Sequence, residues 1–364
     1  NTPMDISIRL RGNRQSPSYI RRMDVIKGEA SPLRQINANM WVLDCPFTVL
    51  SANFLPASLF NIVNRKNNAR IARWIVEQAT ALGFKNYIHL IDTDIYRSRY
   101  LKEYIHPAVS IYYRRDYIIG EAYWRRHGTR LEPELAASAD IVLANSTRFA
   151  AELQPYNPHT YPIETGVNLE LYNPAKKYET PGDMQDIPRP IIGYMGTINS
   201  TRLDGELLYQ IISQRPDYSF VFTGPEDDIF RRNRIHSLKN AYFTGQKKVD
   251  ELPAYIAAYD VCINPQMVNE ITDGNYPLKI DEYLAMGKPT VATSTHTMRN
   301  IFAGHTHLAI NPEEWLAAID RAVTEADDKE LAKQRIAFAE THSWGHSVKK
   351  IYDIIDKFLK ERTT

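Results

Sequence analysis

From about residue 60 onward the apolar positions alternate between two rhythms. A helical stripe through Ile71, Ile75 and Ala79 runs to Gly83, and the strand-like run YIHLID (87–92) follows it. A second strand, VSIYYRRD (109–116), a helix near 131–138 and a third strand, DIVLANS (140–146), continue the series. Beyond a stretch rich in Pro and Tyr (155–190) the alternation resumes. Its strands are IIGYMG (191–196), YSFVFTG (218–224), NAYFTG (240–245), DVCINP (260–265), PTVATS (289–294) and THLAIN (306–311), with helical segments between them. Strands alternating with helices predict parallel sheets covered on both faces, so the fold class is α/β. The expectation is two Rossmann-like, doubly wound parallel-sheet domains facing a cleft, the first over residues 1–170 and the second over 171–344. The closing segment places Val348, Ile351, Ile355 and Phe358 at helical spacing, which predicts an amphipathic helix over 345–361 that needs a surface, the first domain being a candidate.

Ligands of open α/β sheets bind at the carboxyl ends of the strands. Those ends read DTD (92–94), RRD (114–116), NS (145–146), MGTINSTR (195–202), TGPED (223–227) and NPQMVNEITDGNYP (264–277). They are small and polar, and those of the second domain contain glycine, as close approach of backbone to a phosphate requires. Gly196, Thr197, Gly224, Thr272, Gly274 and Asn275 are therefore candidate binding residues.

The segment YPLKIDEYLAMGKP (276–289) predicts a short helix, opened by Pro277 and Leu278 and closed by Gly287 and Pro289. Ile280 and Leu284 form its core stripe, while Lys279 and Glu282 stand three residues apart on a neighbouring one. Two readings are open. The pair can form a solvated ion pair, or it can serve one ligand: the helix N-terminus and Lys279 holding a diphosphate, and Glu282 taking hydrogen bonds from ribose hydroxyls.

Composition narrows the class. The chain of 364 residues is 43% hydrophobic and 24% charged, as an ordinary globular protein is, and no run approaches the length of a membrane span. The net charge of +1 argues against nucleic acid as a partner. The charge is uneven, however: Arg9, Arg11, Arg14, Arg21, Arg22, Lys27 and Arg34 crowd the start, and Arg97, Arg99, Lys102, Arg114, Arg115, Arg125, Arg126 and Arg130 a second stretch. Such stretches form a solvated surface, or they meet an anionic membrane or a phosphorylated substrate. Two cysteines, Cys45 and Cys262, fit a reducing compartment, so the default location is cytoplasmic, with a peripheral position at the inner face of a membrane as the alternative.

LKIDEYLAMGKPTVAT, together with ADIVLANS, TGVNLELYNP, PIIGYMGTINSTRLDGELL, ELPAYIAAYDVCINP and SWGHSVKKIY, resembles glycosyltransferases of the two-domain GT-B fold, especially the family-4-like, retaining group. The resemblance implies a sugar transferred from a nucleotide-sugar donor to a hydroxyl of a glycan or lipid-linked saccharide, with no cofactor and no metal. It implies that Glu282 holds the nucleotide ribose and that Arg202, six residues after Gly196, contacts the donor phosphates. Two positions depart from the family pattern. The first of its paired glutamates, eight residues before Glu282, falls on Gly274, with Asp273 and Glu270 nearby as substitutes, and the arginine often found after the glycine of GYMG is Thr197. An epimerase of the same fold, or a non-catalytic nucleotide-sugar or glycan-binding protein, is the alternative.

In the first domain, Asp92 and Asp94 of DTD can ligate a metal, cap a turn or bind an acceptor hydroxyl. Asp116 is a candidate base and Arg115 a candidate catalytic partner, with Asp273 from the second domain, while Arg114 can meet the acceptor; ion pairing within RRD is the structural alternative. His305 and His307 alternate as on one strand face, and His127 in WRRHGTR reads as a solvated loop residue; both readings are structural. Finally, NTPMD reads as the polar exit of a strand, and no strand, Gly-rich turn and helix precede residue 60. The native protein is therefore expected to carry an opening strand and a glycine-containing acceptor loop ahead of this sequence.

Overall fold

The computed structural model of the chain describes residues 17–363. The NTPMD segment, with Arg9, Arg11 and Arg14, lies outside the described residues. The chain divides into two compact units, one taking residues up to Arg114, Ile118–Val142 and Leu153–Thr160, the other Arg115–Tyr117, Leu143–Glu152 and everything from Tyr161.

In the first unit, helix α1 (Pro17–Lys27) precedes an antiparallel hairpin, β1 (Leu33–Asn37) and β2 (Met40–Leu43). The long α2 (Ala57–Ala81) buries Phe60, Asn64, Asn68, Ile71 and Ala72 along one side. Then come β3 (Ile88–Asp92), α3 (Ile95–Ser98), α4 (Leu101–Ile105), β4 (Val109–Arg114) and α5 (Ala122–Ser138), while the residues of β5 (Ile141–Ala144) and β6 (Thr160–Pro162) are divided between the two units and α6 (Thr147–Leu153) belongs to the second except for its last residue. Strands β3 to β6 lie side by side in chain order, β3 and β4 parallel. Ile91, Tyr112, Leu135, Ala136, Val142 and Leu153 form one core cluster, and Phe60, Ile95, Tyr96 and Leu131 lie in another. The expected helix near 131–138 is the last part of α5, which tolerates Pro133.

The second unit holds β7 (Ile191–Met195), α7 (Gly205–Ser213), β8 (Ser219–Thr223), β9 (Ala241–Gly245), α8 (Leu252–Ala258), β10 (Val261–Asn264), α9 (Leu278–Ala285), β11 (Thr290–Thr293) and β12 (His307–Ala309). Helices α10 (Pro312–Thr324), α11 (Lys329–Thr341) and α12 (Trp344–Thr363) follow. Its six strands run in the order β12-β11-β10-β7-β8-β9, every neighbouring pair parallel. Strand residues alternate between two apolar layers, as period-two side chains must. Ile192, Tyr194, Phe220, Phe222, Val261 and Ile263 pack with α7 and α10, while Met195, Val221, Cys262 and Ala292 pack with α8 and α9. The order reverses between β7 and β10, and a doubly wound sheet opens its ligand crevice at that switch point. The loops leaving β7 and β10 are those that carry Gly196 and lead into α9.

On α12, Ile355 and Phe358 are buried as the spacing predicts, but Val348 is 45% exposed. Two histidine readings need correction. His127 lies on α5, buried, stacked on Phe60 at 3.9 Å with Nε2 3.1 Å from the Asn53 carbonyl. An aromatic neighbour and a carbonyl make a buried imidazole affordable there. His305 is in the turn before β12, stacked on Phe338, whereas His307 is in the strand and 3.0 Å from Glu325, so the two do not share a strand face.

Candidate donor site

The approach to α9 is built by local turns. Asn269 Oδ1 accepts from the amides of Ile271 and Thr272, at 2.9 and 3.0 Å, and the buried Thr272 hydroxyl donates to the Met267 carbonyl. Asp273 accepts from Arg148 Nη1 at 2.6 Å and from the His296 amide at 2.8 Å, and the Thr297 hydroxyl donates to the Gly274 carbonyl at 3.2 Å. Gly274 leaves no room for a side chain: a Cβ there would sit 2.6 Å from the Phe149 ring. The position where the resembling family has its first glutamate is therefore filled from α6. Pro277 stands just before α9, and Gly287, at φ +72°, lies just beyond it.

Lys279 and Glu282 do not pair with each other. Lys279 Nζ donates to the Tyr194 hydroxyl at 2.7 Å and lies 4.0 Å from the Tyr194 ring centre. Glu282 accepts from the Tyr172 hydroxyl. Burial brings the Lys279 ammonium down to about 7, Glu282 opposing and the Arg202 charge adding to the effect. Burial likewise lifts the Glu282 carboxyl to about 7, against the Tyr172 hydrogen bond and the Lys279 charge. Charged groups held at such an energetic disadvantage gain from an oppositely charged or hydrogen-bonding ligand.

The loop after β7 closes on the same place. The Gly196 amide donates to the Thr223 carbonyl at 2.9 Å, and a Cβ on Gly196 (φ +133°) would meet Lys279 Nζ at 2.9 Å. A Cβ on Gly224 (φ +150°) would meet the Gly196 carbonyl oxygen at 1.9 Å, so both turns need glycine. The Tyr194 hydroxyl donates onward to the Thr197 carbonyl at 3.0 Å. Arg202, exposed, is near enough to Lys279 and Tyr194 to act on both electrostatically. Gly196, Thr197, Arg202, Gly224 and Lys279 thus come together, with Thr272, Gly274, Asn275, Pro277 and Leu278 in the approach and first turn of α9. Asn264, closing β10, has both side-chain polar atoms buried without a partner, and Asn275 Oδ1 is in the same condition. Unmet buried amides cost about 1–3 kcal/mol each, which a ligand or water can remove. Tyr194, Tyr172 and Asn264 are the site residues that sequence reasoning missed.

The remaining expected residues lie elsewhere. Asp94 takes the capping role, accepting from the Arg97 amide at 2.9 Å and Arg97 Nε at 2.6 Å. Asp92 is exposed at the end of β3 and accepts from the Thr93 hydroxyl at 3.1 Å. Arg114 does not offer itself to an acceptor: it is 2% exposed, its Nε 3.4 Å from Glu132, which also accepts from Tyr112 at 2.7 Å. Arg115 and Asp116 follow β4, Arg115 exposed and Asp116 half-buried, and the Arg115 carbonyl accepts from Asn145. Among the described residues no three His, Cys, Asp or Glu side chains gather as a metal site.

With a six-stranded parallel sheet of this order, and paired glycine turns and a lysine-bearing helix at its switch point, the chain has the GT-B fold. Residues 189–325 match the family Glycosyl transferases group 1. Over 188 residues the chain is 27% identical to the putative teichuronic acid biosynthesis glycosyltransferase TuaH of Bacillus subtilis (strain 168), covering 50% of this chain and 47% of that protein. The chain thus spans about half the length of this curated relative. Among solved structures it is similar to HepE of Anabaena in complex with UDP, with a TM-score of 0.63 and 15% identity over 79% of this chain and 82% of that one. It is also similar to sucrose-phosphate synthase from Thermosynechococcus elongatus, with a TM-score of 0.64 and 17% identity over 94% and 93%.

Proposed function

We propose that the protein is a glycosyltransferase that moves a sugar from a nucleotide-sugar donor to a hydroxyl of a glycan or lipid-linked saccharide. The observation that carries this reading is the convergence of Lys279, Glu282 and the Gly196 and Gly224 turns at the switch point of the second sheet. Lys279, Arg202 and the first amides of α9 would hold the diphosphate and stabilise its charge as it leaves. Glu282 would accept from the ribose hydroxyls. HepE was solved with UDP, which supports a nucleoside diphosphate as the ligand class.

In this reading the first unit takes the acceptor, with Asp92 as a binding residue. Asp116 receives the acceptor's proton beside Arg115, and Asp273 acts by holding the loop that enters α9. Transfer needs no metal, because fixed positive groups meet the phosphate charge, and proceeds with retention. The protein works in the cytoplasm, peripherally at the inner face of a membrane where such acceptors are held. Incubation with a panel of nucleotide sugars, with and without candidate acceptors, tests the reading. Nucleoside diphosphate should be released in step with a glycosylated product. Release of no diphosphate from any donor, with the donor sugar epimerised or merely bound, would overturn it.

A further inference from the structure

The basic character of the first unit is not where counting residues puts it. Of the cations between 97 and 130, Arg97 pairs with Asp94, Arg99 and Arg130 with Glu134, Lys102 with Asp140 and Arg114 with Glu132, while Arg125 and Arg126 donate to the carbonyls of Ile119, Gly120 and Phe54. In the opening stretch, Arg21 and Arg34 share Asp44, and Lys27 meets Glu29. Residues 46–76 contain Arg65, Lys66, Arg70 and Arg73 and no Asp or Glu, the next acid being Glu77. Arg65 pairs with Glu103. Among the described residues, Lys66, Arg70 and Arg73 have no carboxylate partner.

The same segment exposes large apolar side chains. Leu50 is 60% exposed, Phe54 70%, Leu59 50% and Ile62 55%. At 100° per residue, Leu59, Ile62, Lys66, Arg70 and Arg73 of α2 fall within an arc of about 80°, opposite the buried Phe60, Asn64, Asn68 and Ile71; the exposed Glu77, one turn beyond Arg73, lies on the same arc and ends the cationic stretch. The exposed stripe therefore passes from apolar at the start of α2 to cationic further along. The preceding loop is fixed beside it: Leu50 exchanges backbone hydrogen bonds with the Asn67 side chain, at 3.3 and 2.9 Å, and the Phe54 carbonyl accepts from Arg126 Nη2 at 2.8 Å. Arg70 stacks on the Phe47 ring at 4.0 Å and donates to the Thr48 carbonyl at 3.3 Å, while Lys66 and Arg73 are exposed. An apolar patch held on a rigid support and continuous with cations that lack a carboxylate partner marks an interaction surface.

We propose that this surface, the loop 50–56 with the exposed stripe of α2, docks on an anionic lipid bilayer. Phe54, Leu59 and Ile62 enter the headgroup and acyl boundary, and Lys66, Arg70 and Arg73 lie at the level of the lipid phosphates. Charge selects this occupant over a second copy of the chain, since each stripe carries three cations to one carboxylate and two net-positive faces repel. The inference rests on the membrane location proposed above and adds the surface that makes it.

The test uses the full chain, sedimented with phosphatidylcholine vesicles with or without phosphatidylglycerol, at low and high salt. The wild type should bind the anionic vesicles and lose binding as salt rises. Lys66→Gln with Arg73→Gln should weaken binding about 25-fold, each cation near such a surface contributing about fivefold. Phe54→Ser with Ile62→Ser should weaken it at least about tenfold. Both variants should keep the wild-type melting temperature, because the altered side chains are exposed. If the wild type binds and both variants bind equally well, this surface is wrong while the membrane location stands. If the wild type shows no preference for anionic vesicles, the location fails and the surface with it. A dimer in solution that Phe54→Ser with Ile62→Ser dissociates, without vesicle binding, would assign the face to a second copy instead.

Discussion

Replacing Glu282 with Gln should separate what the donor site needs from what the fold prefers. In the protein without ligand, burial lifts the Glu282 carboxyl from 4.5 to about 7. The folded state thus binds more protons than the unfolded one between those values, and stability is lost as pH rises from about 4.5 to about 7. A displacement of that size corresponds to about 3 kcal/mol against the ionised form. Glu282 keeps part of its surface in solvent, so about 1–2 kcal/mol is the better expectation. Glutamine keeps the Tyr172 hydrogen bond and removes the charge. Urea unfolding should show Glu282→Gln close to wild type at pH 4.5 and about 1–2 kcal/mol more stable at pH 8. Calorimetry should show the reverse for function, with binding of nucleoside diphosphate weakened about tenfold to a hundredfold by the loss of charged hydrogen bonds. A variant no more stable at pH 8, or one that binds the nucleotide like the wild type, would refute the reasoning.

Other substitutions probe neighbouring parts. Lys279→Met should weaken diphosphate binding by at least about tenfold; because burial brings the ammonium to about 7, wild-type affinity should also fall as pH rises through that value, a decline the variant should lack in a calorimetric pH series. Asp281 is fully buried, 2.9 Å from His342 Nδ1 and 2.5 Å from the Tyr276 hydroxyl. Asp281→Ala should cost on the order of 3 kcal/mol in urea unfolding by removing a buried carboxylate to which both partners hydrogen-bond, and a loss below half that would show the network to be dispensable. Gly274→Ala should cost about 1–3 kcal/mol, since its Cβ would meet Phe149; an unchanged melting temperature would contradict the packing. Sugar transfer should survive EDTA, and abolition by chelation with rescue by Mn²⁺ would return the DTD segment to consideration as a metal site.

The strands were legible because they are short apolar runs ended by glycine or polar residues, a pattern set in the second sheet by burial on both faces, whereas Ile88 and Leu90 of β3 are exposed. The limits of α9 were legible for a local reason too: Pro277 and Gly287 act on their own backbone. What joins distant segments was not. Whether Lys279 meets Glu282 or Tyr194 depends on an aromatic side chain 85 residues away, and the link from Arg148 to Asp273 spans 125. Polar sequence misled at WRRHGTR, where His127 finds a stacking partner on α2, and at Arg97, Arg99, Arg114 and Arg130, whose carboxylate partners are Asp94 ahead of α3 and Glu132 and Glu134 on α5. The exposed stripe of α2 escaped notice because an apolar residue at helical spacing reads as core until its neighbours are known.

The most direct test of the central claim is the structure of the protein with a bound nucleoside diphosphate. The diphosphate should lie against the Gly196 turn and the N-terminus of α9, within ion-pairing reach of Lys279 Nζ, with the ribose hydroxyls donating to Glu282. A nucleotide bound elsewhere on the sheet, with Lys279 still on Tyr194 and Glu282 still on Tyr172 alone, would contradict it.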